Sequence, residues 1–168
     1  MAGEKDTIFQ SKVKYSGVFV FSEFYKFCYD WLVDEFGLEV VEEKYVEKIK
    51  GTTKDIEFKW TGTKKVTDYF KFEVKVAFKV EGLEDVEVIQ DKIKKKMNKA
   101  RVEIKISSTL IKDYEGKFEQ SAFKKFLRSI YEKWVIPARI AQFEDKLVSG
   151  SDEFLSQVKA YLDLEGKR

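Results

Sequence analysis

The stretch VTDYFKFEVKVAFKVE, residues 66–81, decides the fold. Its even positions hold Phe70, Phe72, Val74, Val76, Phe78 and Val80, and its odd positions include Lys71, Glu73, Lys75, Lys79 and Glu81. Successive side chains of a strand point to opposite faces, so this segment has one apolar and one charged face. That is the pattern of a half-buried antiparallel strand. Burying each large side chain is worth roughly 1.5–3 kcal/mol, so this face contributes on the order of 10 kcal/mol before chain entropy is subtracted. A core has to form against it.

The same alternation recurs on both sides of this stretch. Phe9, Val13 and Tyr15 alternate with Gln10, Lys12 and Lys14 in a first strand over residues 7–15, which Ser16 and Gly17 break. Ile56, Phe58 and Trp60 alternate with Asp55, Glu57 and Lys59. Val102, Ile104, Ile106 and Leu110 alternate with Arg101, Glu103, Lys105 and Thr109. Residues 38–50 mix types and stay ambiguous, as do residues 18–21. Turns are expected at residues 51–53 and 62–65, at Gly82, at Asp91 and Lys92, and at Asn98 and Lys99. These links are too short for parallel crossovers, so the sheet is an antiparallel meander of about five to six strands. Every clear strand has one charged face, so one side of the sheet is covered.

The covering elements follow a helical period. Ser22 is a suitable N-cap and Gly37 a suitable C′ residue for a helix ending at Phe36. Glu23, Lys26, Asp30 and Asp34 form one narrow polar stripe on that helix, and apolar side chains fill most of the remaining circumference. Phe123, Phe126, Leu127, Ile130, Tyr131 and Trp134 fall at helical spacing on a second helix, which kinks or restarts at Pro137. Ser149 and Gly150 end that part, and Ser151 caps a last helix carrying Phe154, Leu155, Val158, Tyr161 and Leu162. The fold class is α+β. An antiparallel meander sheet has one face covered by an N-terminal helix and a kinked C-terminal helix pair. The chain reads as a single domain over residues 1–168, with fraying at 1–6 and 166–168.

Composition narrows function. In 168 residues, 32 basic side chains face 30 acidic ones, and a net charge of +2 gives no chain-wide field for nucleic acid or membrane. There is no histidine, hence no imidazole base or ligand, and one cysteine, hence no intrachain disulfide. No apolar run reaches the ~18 residues of a membrane span, and no signal-peptide pattern follows Met1. A cytoplasmic location is expected.

No catalytic constellation stands out. Cys28 lies among Phe24, Phe27, Tyr29 and Trp31 with no histidine to activate it, and reads as a buried structural thiol. Asp30, Asp34, Glu35, Glu39, Glu42 and Glu43 lack calcium-loop spacing and read as surface charge. No cofactor, metal or enzymatic activity is expected. The strongest local charge is the run Lys92, Lys94, Lys95, Lys96, Lys99 and Arg101, which at a hairpin tip could contact phosphates. Lys124, Lys125 and Arg128 form a second basic cluster on the outside of a helix.

The order strand, helix, antiparallel strands and long C-terminal helix is similar to the helix-grip architecture of lipid and hydrophobic-ligand carriers. That resemblance implies an apolar cavity between the sheet and the helix that carries Phe123 and Trp134. The second short helix of that architecture is not evident here, and one extra C-terminal helix is present. The leading functional reading is a non-enzymatic protein-interaction module, meeting a protein partner or a second copy through Trp31 and Phe36. The alternatives are a carrier of a small apolar ligand and a binder of nucleic-acid backbone through the basic hairpin.

Overall fold

Five strands hydrogen-bond into one antiparallel sheet in the computed structural model, which describes residues 4–115, 121–135 and 137–166. They are β1 (Glu4–Phe19), β2 (Glu39–Lys50), β3 (Thr53–Lys65), β4 (Phe70–Gln90) and β5 (Ile93–Lys112), in the spatial order β1-β5-β4-β3-β2. β2 to β5 form the meander. β1 closes it by pairing along β5, from Glu4 opposite Lys112 to Phe19 opposite Asn98. The expected α+β class and antiparallel sheet are what the chain forms.

The alternation in residues 70–80 does what its pattern requires. Phe70, Phe72, Val74, Val76, Phe78 and Val80 are all at most 4% exposed, and Ile56, Phe58, Trp60, Val102, Ile104 and Ile106 join them on the same face. Two helices cover that face. α1 (Phe21–Asp30) continues as a π-helical turn over Trp31–Glu35, in which the Phe36 N–H reaches back to Trp31 O at 3.1 Å. It ends at Gly37, whose φ of +76° suits a residue without Cβ. The Leu38 N–H then donates to Leu32 O at 3.0 Å, six residues back and one longer than a Schellman bond, in keeping with the wider π-helical turn before it. α3 (Pro137–Gly166) runs 30 residues and buries Phe143, Leu147, Phe154, Leu155, Val158 and Leu162. Ring contacts join the helices to the sheet, Phe24 to Phe78 at 6.2 Å and Phe70 to Phe143 at 5.1 Å, and to each other, Trp31 to Phe154 at 5.5 Å. α2 (Ala122–Ile130), continued by a π-helical turn over Tyr131–Val135, has no buried residue in its α-helical part.

Several boundaries differ from the local reading, each because a tertiary contact outweighs a local preference. Ser16 and Gly17 do not break β1, because they pair with Arg101 and Ala100 of β5. Asn98 and Lys99 make no turn. They lie within β5, and the Asn98 side chain accepts from the Phe21 N–H at 2.9 Å, capping α1 in place of Ser22. Gly82 does not end β4. It sits at φ +66° in a bulge between Glu81 and Glu84, after which the strand runs on to Gln90. Ser149, Gly150 and Ser151 do not divide α3. A Cβ on Gly150 would lie 2.7 Å from the Phe36 ring, so this glycine is a notch for close packing, not a terminator. Ser151 is fully buried and donates to Leu147 O within the helix at 2.7 Å. The fraying expected at 1–6 and 166–168 falls partly outside the described residues; Glu4–Asp6 belong to β1 and Gly166 closes α3.

Candidate functional site

Trp31 and Phe36 pack inward. Phe36 is 9% exposed and meets Trp31 edge-on at 6.2 Å, while Trp31 is half-buried against Phe154 of α3. Any apolar surface offered to a partner therefore lies elsewhere.

It lies on α2. Ser121 caps the helix through its side chain, which accepts from the Lys124 N–H at 3.1 Å. At 100° per residue, Phe123, Phe126, Leu127 and Ile130 share one arc, and Trp134 of the π-helical turn falls near it. Phe123 is 68% exposed, Phe126 60%, Leu127 39%, Ile130 38% and Trp134 71%. The opposite arc carries Lys124, Lys125 and Arg128. Two contacts moor this helix at one edge. The Arg128 guanidinium lies 3.7 Å from the Asp113 carboxylate, and the Tyr131 ring meets Tyr69 at 5.4 Å. Tyr69 stands beside the β3–β4 turn, where Thr67 Oγ1 accepts from the N–H groups of Tyr69 and Phe70 at 3.1 and 3.0 Å. The Lys65 ammonium sits 5.9 Å over the Tyr114 ring, and the Tyr114 hydroxyl donates to Thr67 O at 2.9 Å. The same end also carries the carboxylates of Asp68, Asp113 and Glu115, so its charge is mixed. The Lys133 ammonium lies 5.3 Å over the exposed Trp134 ring.

The sequence places the aromatic residues of α2 on a core face, but a single sheet face has limited room. A 30-residue helix is about 45 Å long, and α3 spends that length over the sheet, with Phe143 beside Phe70, Ser151 beside Ser108 and Leu162 beside Tyr15. Once α3 is continuous, it and α1 occupy the apolar face and leave α2 beside them. The available signal was the row of cations opposite the apolar arc of α2, together with Pro137 separating it from α3.

The basic hairpin is a two-stranded ribbon. Pairing of β3 with β4 stops at Leu83, so beyond Val86 and Met97 only β4 and β5 are joined. The period of two divides the cations between faces: Lys94 and Lys96 are exposed on one side and Lys95 is half-buried on the other. Lys96 stands opposite Glu87 and Lys99 opposite Glu84, and Arg101 pairs with Glu81 at 3.3 Å. Lys92 occupies the tip turn with φ +65°. The acidic strand thus offsets much of the basic one.

An open recess of about 990 Å³ lies on the charged face of the sheet, around Ala77, with Lys12, Lys59, Glu73, Lys75 and Lys105 at its rim. Glu103 bridges Lys12 at 3.2 Å and Lys105 at 3.7 Å, and the Lys12 ammonium holds its carboxyl below the usual range. Glu57 and Lys44 pair similarly at 3.1 Å. Such exposed pairs contribute little each, and the arrangement is a solvated ionic mesh.

Two groups with chemical potential are Cys28, which is enclosed, and Tyr25, which is half-buried. Cys28 is fully buried and its thiol is pushed well up by burial, away from thiolate chemistry. The Tyr25 hydroxyl donates to Glu42 Oε1 at 2.7 Å, an atom that also accepts from Trp60 Nε1 at 3.3 Å. Burial, then this carboxylate, raises the Tyr25 phenol to about 12. It is a structural donor at neutral pH. Among the described residues, no three His, Cys, Asp or Glu side chains are grouped to hold a metal ion, and no helix is long and apolar enough to cross a membrane. No family model, no curated protein and no solved structure matches this chain.

Proposed function

We propose that this protein is a non-enzymatic interaction module, with α2 as its contact element and the sheet, α1 and α3 as the scaffold that holds it. One observation carries this reading: an aromatic-rich helical face, Phe123, Phe126 and Trp134 at 60–71% exposure, is turned away from the core of its own chain. Scattered exposed apolar side chains are ordinary on a protein surface, but a contiguous face on one helix marks a contact. Placing that much aromatic surface in water costs free energy that an external contact recovers.

The carrier reading has less support. α3, not the helix carrying Phe123 and Trp134, lies on the apolar face of the sheet, and Phe70, Phe143, Phe154, Leu147 and Val158 fill the space beneath it. The nucleic-acid reading has less support because acidic residues stand opposite three of the six hairpin cations, Lys96, Lys99 and Arg101. The burial of Cys28 favours a scaffold without catalysis of its own.

A photoreactive phenylalanine analogue at position 126 or 134, irradiated in crude extract, tests the reading. Adducts at those two positions are expected, with none at the control position 48 on β2. Equal labelling at 48, or no adduct at 126 and 134, would contradict it.

A further inference from the structure

We infer that the open face of the sheet binds the sugar–phosphate backbone of duplex nucleic acid, along a row of four lysines. This surface is separate from the α2 face and from the basic β4–β5 hairpin. Strand register makes the row. Lys12 of β1 lies opposite Lys105 of β5, Lys105 opposite Ala77 of β4, Ala77 opposite Lys59 of β3, and Lys59 opposite Lys44 of β2. All four lysines are exposed, and the open recess of about 990 Å³ lies around the small side chain of Ala77 in their midst. Like charges directly opposite on neighbouring strands are unfavourable, and this row holds two such pairs, Lys12 with Lys105 and Lys44 with Lys59.

The charges around the row do not cancel it. The adjacent row holds Lys14, Glu103, Lys79 and Glu57 and is neutral in itself. Its glutamates also serve the lysine row: Glu103 reaches Lys12 and Lys105, and Glu57 reaches Lys44. Lys59 makes no ion pair among the described residues. One row further, Arg101 faces Glu81 and Lys48 faces Asp55. On the other side Lys75 adds a cation, Glu73 and Glu39 stand in the row after it, and Glu43 lies at the rim of the recess. Over these five rows nine cations meet seven carboxylates, and the excess lies in the one row that has no carboxylate of its own.

The neighbours of the cations select the partner. Gln10, Ser107 and Thr61 line the recess in the row beside the lysines, and lysine with Ser, Thr and Gln side chains is a donor set that contacts phosphate. None of the five rows holds an aromatic residue. The face therefore offers no platform on which the bases of a single strand would stack, and no aromatic anchor of the kind that centres a protein interface. A duplex needs neither, since it keeps its bases stacked inside and its phosphates outside. Five strands at ~4.8 Å spacing make the row about 19 Å long and open at both edges, so a line of phosphates can follow it where a compact anion reaches only its middle.

The test is fluorescence anisotropy of a labelled mixed-sequence DNA duplex of about twenty base pairs, titrated with the full chain over a range of salt. Micromolar binding at low salt is expected. The logarithm of affinity should fall with the logarithm of salt with a slope of about −3.6, for phosphate contacts by Lys12, Lys59, Lys75 and Lys105 at about 0.9 each. K59Q/K105Q should weaken binding and flatten the slope by about 1.8. K94Q/K96Q on the β4–β5 hairpin should leave both unchanged. Absence of salt-dependent duplex binding, or a loss in K94Q/K96Q equal to that in K59Q/K105Q, would overturn the inference. Tighter binding of the single strand of the same length would overturn the duplex assignment. Displacement of the duplex by polyglutamate at equal charge concentration would show a surface for any polyanion and overturn the nucleic-acid assignment.

Discussion

Ser151 Oγ donates to Leu147 O at 2.7 Å, so the 2.6 Å contact between Ser151 and Ser108 is made with the Ser108 hydroxyl as donor. Both residues are fully buried, one on α3 and one on β5, and the pair fixes the register of the helix on the sheet. The chain of donors makes the two positions unequal. Ser151→Ala leaves the Ser108 hydroxyl buried without an acceptor, which costs about 1–3 kcal/mol. Ser108→Ala leaves Ser151 still satisfied by Leu147 O and costs less, about 0.5–1.5 kcal/mol. The double variant should be no less stable than Ser151→Ala alone. Urea unfolding of the three variants measures this; equal single costs that add in the double variant would show that the two hydroxyls are not coupled.

At the scale of elements, α2 and α3 look alike in sequence and differ in role. Both carry an apolar arc, yet Leu147 on α3 is fully buried and Phe126 on α2 is 60% exposed. Leu147→Ala should therefore cost about 2–5 kcal/mol. Phe126→Ala should stay within about 0.5 kcal/mol of the parent protein. Thermal or urea unfolding distinguishes them, and a comparable loss for Phe126→Ala would mean that α2 packs on the body. The strands were legible in sequence wherever one face is charged, because Phe70 to Val80 and Lys71 to Glu81 separate cleanly by parity. β2 was less legible. It is an edge strand with Val41, Tyr45, Val46 and Ile49 exposed, so burial imposes little pattern on it. The continuity of α3 was hidden for a different reason. Gly150 and Ser151 carry stop and cap signals locally, and only Phe36 and Ser108, distant in sequence, reveal their use. The outward face of α2 was hidden likewise, since helical periodicity records an apolar arc and not what covers it.

The whole molecule divides into a covered and an open side. The covered side is the apolar face of the sheet beneath α1 and α3, and the open side is an ionic mesh with Lys12, Glu103 and Lys105 at its centre. β1 ties the ends of the described chain together, pairing with β5 and donating from the Tyr15 hydroxyl to Leu162 O at 2.7 Å. α2 stands apart from this closed body: nine residues and a five-residue π-helical turn, with no side chain buried along the nine. A helix of that length is marginal in water without packing, so it should open far more readily than the scaffold. Hydrogen exchange on the full chain tests the central claim that α2 is a contact element held outward. Amides of residues 122–135 should exchange orders of magnitude faster than those of residues 143–162 in the free protein. Protection of residues 122–135 equal to that of α3 in the free protein would contradict the account.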